Sequence, residues 1–575
     1  ALLAYEAAFA VCFAVMVWIR AHNPEIAGTE KPMDFAMLNT AIRSEWFPPQ
    51  DPWLSGFTVN YYYFGYLIVA VLNQLAGTDS AIGFNLAHAF LFAGAATGIA
   101  SLIANLVAMR ERTGAAPARP AISLRHIGYG GVGVLLLLGI GNLEPAFEIA
   151  RAHGWSDPAV SSWVAIKKDE DAGGVRLLGV PPDAPYHSAH WYPSENWWWW
   201  RSTRVIDTVS QGRSQDYTIT EYPAFSFLLG DLHPHVMALP FVLLALALSL
   251  QLLAGPSPVF SVWRRSPALF LPPLVVLGSI GFINGWDLLP YLGIYLGMGL
   301  LRTWLDGPHS WLAWPDWADW SAVIAGGAVA SYAPFYGVLA WQTLSGTGAL
   351  GGQGPPVVPW EGPGTRPLHF VILWGPALMM ALSLVISAAF RTAARLGFVV
   401  AFVSALFGTV WTATELAYAA RATGAPDPQQ LAALQRTWFL FAGGLAGAVL
   451  LGHRSLQRRA STITAETPAL GTPLVFALAL IAAAFGLFFI CETLRIRDVF
   501  GNRMNTVFKL YYQAWVLLAV IGGFTVSYFH ERESGIGGPV RLAWSLAMVV
   551  LMVVAGWFWP AALASKTNGF QTTTT

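Results

Sequence analysis

Glu30 and Asp34 stand four residues apart in TEKPMDFAMLN, with Lys31 beside the first. On a helix that spacing puts both carboxylates on one face. There they can act as a general base or hold a divalent cation, and equally they can be ordinary capping acids of a solvated interfacial helix. A second group stands at the mouth of an apolar run: Glu221, Asp231, His233 and His235 in TEYPAFSFLLGDLHPHVMALPF. Ionisable groups at such a place are costly unless satisfied, so a functional role is the default reading. His233 and His235, with Asp231 two residues before the first, have the donor types of a metal site, but two histidines without a third clear ligand are a weak metal signal; a hydrogen-bonded helix entry needs the same residues. The cations form two further groups. Arg201 and Arg204 are three apart in WWWWRSTRVI, and guanidinium forks match phosphate oxygens. The tryptophans before them suit a sugar face or an interfacial anchor. Arg503, Asn505 and Lys509 run into the apolar segment at 507–528 in GNRMNTVFKLYYQAW. A lysine inside a span costs a few kcal/mol unless paired or snorkelling, so Arg503 and Lys509 read as anion binders or as partners of the acids. FINGWDLLP adds Trp286 and Asp287 in a turn between two apolar runs.

The elements that must position these groups are membrane helices. The chain of 575 residues is 55% hydrophobic and 11% charged, against about 25% charged in a soluble protein. Apolar segments near 1–19, 81–109, 127–143, 236–254, 268–283, 288–302, 321–341, 368–390, 397–412, 435–452, 472–491, 507–528 and 540–558 predict an all-α polytopic fold with about thirteen transmembrane helices. The alternating short segments of a membrane β-barrel are absent from the pattern. Net charge is zero, so no global field attracts nucleic acid. Cys12 and Cys491 fall in or beside apolar runs and read as buried thiols without a disulfide. The start inside an apolar run without Met, and the end in QTTTT, read as a piece of a longer chain.

Arg-rich stretches at 110–126, 263–265, 391–395 and 453–459 mark the cytoplasmic side. Alternation then puts 144–235, 284–287, 342–367, 413–435 and 492–505 outside. The loop 20–60 joins them only if NYYYFGYLIVAVLNQLA does not cross. Segment 61–76 is short, carries Asn73 and Gln74, and opens on Tyr61, Tyr62 and Tyr63. Tyrosine favours the headgroup level, so this segment reads as an interfacial or re-entrant helix on the outer face; an ordinary short span is the other reading. The organisation expected is a transmembrane module at 1–143, a long outer loop at 144–235, a helical core at 236–558 and an outer-side tail at 559–575.

The blocks TEKPMDFAMLN, PPQDPWLSG, NYYYFGY, WWWWRSTRVI, TEYPAFSFLLGDLHPHVMALPF, GFINGWDLLP and RDVFGNRMNTVFKLYYQAW resemble the YYY-domain membrane proteins, a largely uncharacterised family, over nearly the whole chain. More distantly, the order of parts is similar to the C-type glycosyltransferases (GT-C), polytopic enzymes that use lipid-phosphate-linked sugars. That resemblance implies a GT-C-like helix arrangement. It makes Asp34 or Glu30 the first-loop catalytic acid and Asp231 the second. This chain departs from the pattern in having EKPMD where an adjacent acid pair is usual, and in its longer second loop.

The function expected is a membrane glycosyltransferase of the plasma (inner) membrane, multi-pass, with its working loops on the non-cytoplasmic side. A polyprenyl-phosphate-linked sugar would enter from the lipid. Arg201, Arg204, Arg503 and Lys509 would hold the phosphate. Asp34 or Glu30 would take the acceptor proton, and Asp231, His233 and His235 would orient the acceptor or bind a divalent cation. Lys31, the three tyrosines, Glu221, Trp286, Asp287 and Asn505 complete the expected binding set. The rival is a lipid or polymer translocase, or a scaffold subunit of a membrane complex, whose charges make salt bridges to partners.

Overall fold

The computed structural model describes residues 2–111, 122–155, 188–194, 197–207, 209–210, 213–214, 216–255, 267–306, 314–344, 356–419, 433–434, 436–440, 442–450, 471–530 and 537–570. In chain order its helices are α1 (Leu2–Ala21), α2 (Lys31–Arg43), α3 (Phe64–Ala76), α4 (Ser80–Arg110), α5 (Leu124–Val134), α6 (Glu144–Ala152), α7 (Pro223–Leu229), α8 (Pro234–Ala254), α9 (Leu271–Ile283), α10 (Gly285–Asp306), α11 (Trp314–Ala330), α12 (Ala333–Leu344), α13 (Pro367–Thr392), α14 (Ala394–Ala419), α15 (Thr472–Thr493), α16 (Met504–His530), α17 (Gly538–Gly556) and α18 (Phe558–Lys566). The strands are two short antiparallel pairs, Val209–Ser210 with Arg213–Ser214 and Val357–Pro359 with Leu494–Ile496.

Eight helices among the described residues are long and apolar enough to cross a bilayer, or ten if each of two bent pairs counts as one span. The chain is thus an integral, multi-pass, all-α membrane protein. Among the described residues the expected count of thirteen is not reached. The segment at 268–283 forms only the thirteen residues of α9, about 20 Å of helix against a hydrocarbon core of about 30 Å. The segment at 288–302 forms α10, which carries Asp287, Arg302 and Asp306 and is more polar than the eight. The segment at 435–452 lies partly outside the described residues. Helix α3 is also thirteen residues long, too short to cross unaided. It begins at Phe64, so the three tyrosines precede it rather than lie on it as expected, and Tyr63 is its N-cap.

The chain divides into two compact units, one of residues 1–130 and 229–355 and the other of 131–228 and 356–575. In the first unit α4 packs on α1 and α8. Lipid tails are as apolar as leucine, so such helices associate through close packing. Buried Ala89, Ala93, Ala96 and Ala100 run along α4, and a Cβ at Gly98 would already touch Leu243 at 3.3 Å.

In the second unit α13 packs on α14 and α16, and α15 on α16. Helix α5 runs into a π-helical turn, Leu135–Gly139, and α6 departs at 62°. Irregular backbone survives at membrane depth only where protein satisfies it. Here Gly141 N donates to Ala555 O and Leu143 N to Ile372 O, both at 2.9 Å. Within the stretch expected as a long outer loop, Trp198, Trp199 and Tyr222 near its end are fully buried. Residues 156–187 of that loop lie outside the described residues. The expected tail is helical at α18, where Lys566 donates to Leu228 O.

Candidate functional site

In the first unit, α1 carries Arg20 in its last turn, and a connection leads from it to α2. That connection uses two left-handed residues, Gly28 at φ 74° and Thr29 at φ 50°. Pro32 in the first turn of α2 suits a helix start, because proline pre-sets φ where no N–H partner is needed. The buried face of α2 carries Lys31, Asp34, Leu38 and Ala41, at helical spacing. The connection and α2 meet the start of α8. Thr29 Oγ1 donates to both Asp231 oxygens, at 3.0 and 2.9 Å. Glu30 Oε2 and His233 Nδ1 are 2.8 Å apart, and the His233 and His235 rings are neighbours at 4.8 Å. Gly230, at φ 82°, lies where a Cβ would come within 2.2 Å of Arg20 Nη1. Arg20 in turn holds Asn85 Oδ1 on α4 through Nε and Nη2, at 2.9 and 2.7 Å.

Asp34 is the centre of this group. Its side chain is wholly buried. Tyr66 of α3 donates to Asp34 Oδ1 at 2.6 Å, while Oδ2 has no hydrogen-bond partner among the described residues. Burial pushes the carboxyl up to about 7; His233 and the Tyr66 hydroxyl pull the other way, and Asp231 and Glu30 add to the rise. Burial also lowers Lys31, helped by the neighbouring Arg20 charge and opposed by Asp231. Tyr61 and Tyr62 stack obliquely at 4.9 Å. Tyr62 fits against Gly285, whose missing Cβ would lie 2.8 Å from the ring. Burial, then the nearby Asp287, raise its hydroxyl to about 12. Tyr63 has a different job: it packs edge-on to Phe282 at 4.7 Å and against Phe47 and Phe335. Trp286 is half-buried beside Asp287. Acids, histidines and tyrosines singled out in three distant parts of the sequence therefore meet at one end of this unit.

The cations singled out lie mostly in the second unit, and two already hold carboxylates. Arg201 grips Glu148 of α6 through Nε and Nη2, at 2.5 and 2.7 Å. Arg503 is fully buried between Asp216, at 2.5 Å, and Glu492, at 2.7 Å. Thr365 joins both Arg503 and Glu492. The two carboxylates keep the Arg503 guanidinium firmly charged. Arg204 stacks on Trp200 at 4.4 Å and donates to Thr203. Asn505 donates to Asp498 at 2.7 Å. Lys509 is half-buried on α16 near Phe508, and Glu221 is half-buried beside Tyr222. The tryptophan run, read from sequence as a sugar platform or surface anchor, is interior at Trp198 and Trp199.

Thr29, Arg20 and Asn85 in the first unit, and Glu148, Asp216, Glu492 and Thr365 in the second, escaped the sequence reading. A buried charge costs free energy unless it is paired or hydrogen-bonded, which signals that Arg201 and Arg503 have partners but not which ones. Among the described residues no three His, Cys, Asp or Glu side chains are grouped closely enough to hold a metal ion; Asp231 is engaged by Thr29 and His233 by Glu30.

No curated protein and no solved structure matches the chain, so the likeness to the C-type glycosyltransferases has no support from relatives. The family described as "Uncharacterized membrane protein (DUF2298)" matches residues 1–518. That match spans well over half of the sequence, and the chain belongs to this family of membrane proteins.

Proposed function

We propose that the protein is a glycosyltransferase of the plasma membrane that takes a polyprenyl-phosphate-linked sugar on the non-cytoplasmic side, with Asp34 as its general base. The observation that carries this reading is the Asp34 carboxyl. It is buried, is raised to about 7, is fixed through one oxygen by Tyr66, and has its other oxygen unclaimed among the described residues. A base poised near the working pH is what proton abstraction from a hydroxyl needs. In the reaction the acceptor oxygen attacks the anomeric carbon. The bond from that carbon to the phosphate oxygen breaks, its electron pair leaves with the lipid phosphate, and the hydroxyl proton passes to Asp34. Asp231 and the Glu30–His233 pair frame the acceptor. Lys31 is the cation on the same helix face as Asp34, placed to favour the leaving phosphate. Arg204 and Lys509 belong to the second unit and take no part in this site. Arg201 and Arg503, already engaged by acids, have the role of holding that unit together.

The test compares glycoconjugates from cells that lack the protein with those complemented by the wild type or by Asp34→Asn. A sugar-bearing product lost in the null and in Asp34→Asn, and restored by the wild type, is the expected result. A folded Asp34→Asn protein that restores the full profile would sink the reading. It would favour a non-catalytic scaffold or translocase, in which the zero exposure of Asp34 means that the Asp34–Tyr66 bond only ties α2 to α3.

A further inference from the structure

Between α2 and α3 the chain makes a compact loop, residues 44–58, that is ordered by its own hydrogen bonds. Asp51 N donates to Phe57 O and Val59 N to Pro49 O, both at 2.8 Å. The Asp51 carboxylate accepts from the backbone N–H groups of Trp53 and Leu54 at 2.8 Å. Thr40 of α2 donates to Gln50 O. This scaffold holds large apolar side chains outward: Trp46 is 83% exposed, Trp53 63%, Phe57 62% and Leu54 57%. A run of uncovered aromatic side chains on a fixed loop marks an interaction surface.

The neighbouring helices identify what covers it. The loop lies between α2 and α3, and Gln74 near the end of α3 donates to Ile42 O near the end of α2. Helix α3 is too short to span, yet it leaves Val71, Leu72 and Leu75 uncovered, and Ile82 at the start of α4 is uncovered as well. Helix α3 packs on α4, a membrane span, and α4 packs on the span α1, where only Met16 and Arg20 are buried. Trp18, one turn before the end of α1, is itself half exposed, where an interfacial tryptophan belongs. The loop therefore extends a lipid-facing surface. Its only ionisable side chains are Glu45 and Asp51, and the second of these is occupied in capping the turn.

We propose that residues 44–58 dip into the membrane leaflet beside the end of α1, with Trp46, Trp53, Leu54 and Phe57 seated among headgroups and the first acyl carbons. The occupant is the phospholipid leaflet, and the loop stays there whether or not a sugar is transferred nearby. It would keep the start of α2, with Lys31 and Asp34, at the level where lipid phosphates lie.

A nitroxide label tests this on the full chain in nanodiscs of phosphatidylcholine and phosphatidylglycerol. Cys12 is replaced by alanine, Cys491 stays buried, and Trp53→Cys and Phe57→Cys are labelled separately, so that one poorly folded variant does not decide the matter. Power-saturation spectra compare relaxation by oxygen, which partitions into lipid, with relaxation by a water-soluble nickel chelate. The expected result is an accessibility ratio shifted toward oxygen at either position. A ratio in favour of the nickel chelate puts the loop in water and overturns the proposal. Exclusion of both reagents also overturns it, because a protein surface, such as a second copy of the chain, then covers the loop.

Discussion

Asp34 owes its chemistry to what surrounds it rather than to its place in the sequence. An exposed aspartate at the start of a helix would ionise near 4; here burial holds the carboxyl near 7. For the sugar transfer proposed above, the expected consequence is an acid limb centred near pH 7, with the rate rising as Asp34 loses its proton. Asp34→Asn should lower transfer by about 100-fold or more, the usual worth of a positioned base. Tyr66→Phe removes a donor that favours the charged form, so the acid limb of the pH–rate profile should move to higher pH; an unmoved limb would dissociate the Tyr66 hydroxyl from catalysis. The stability sign is opposite. The folded state keeps a proton that the unfolded state has already released between about pH 4 and pH 7, so stability falls as pH rises through that window, by at most about 1.4 kcal/mol for each pH unit crossed. Asp34→Asn should therefore be no less stable than the wild type at neutral pH, as read by thermal unfolding in detergent.

At the scale of elements, two devices hold the helix ends. Gly230 stands at the end of α7 with φ 82°, and Arg20 fills the space where a side chain would begin. Gly230→Ala should cost about 1–3 kcal/mol in backbone strain alone and should also disturb the Arg20–Asn85 contact. A lower unfolding temperature checks the first effect. In the second unit, Arg503 ties the segment at Asp216, the end of α15 at Glu492 and the start of α16. Arg503→Met leaves two carboxylates buried without their cation, a loss of about 3–5 kcal/mol. Such a variant should fail to fold or unfold well below the wild type. Full stability would mean that the two acids are protonated and independent of the arginine.

For the whole molecule, the packing of the first unit has a consequence for sidedness. The contacts of Thr29 with Asp231, of Asp34 with Tyr66 and of Tyr62 with Gly285 bring the starts of α2, α3, α8 and α10 to one end of that unit. Helix α4, of 31 residues and about 46 Å long, carries the chain from that end to the other. A cysteine at Ala27, which is exposed, should react with a membrane-impermeant thiol reagent from one side only, and a cysteine at the exposed Leu124 from the opposite side only. Reaction of both from the same side would mean that α4 does not span. The division into two units is itself a property of the whole chain: residues 131–228 leave the first unit and the chain returns to it at 229, a path that hydropathy alone does not mark.

Composition and run length determined that this is a multi-pass helical membrane protein, because the bilayer imposes a length and an apolarity that can be measured along the sequence. Residue types next to span ends also picked out Glu30, Asp34, Asp231 and His233, since charge at that depth needs a reason. The tertiary structure alone decided how those charges are used. Asp34 and Asp231 are far apart in sequence, and only the packing of α2 and α3 with the start of α8 makes one group of them and Tyr66. Arg201 and Arg503 look like free phosphate clamps until Glu148, Asp216 and Glu492 fold against them. Pairing between distant charges leaves no local pattern, because it depends on which helix ends meet in space, and the break before α6 is possible because Ala555 O and Ile372 O take the backbone N–H groups of Gly141 and Leu143.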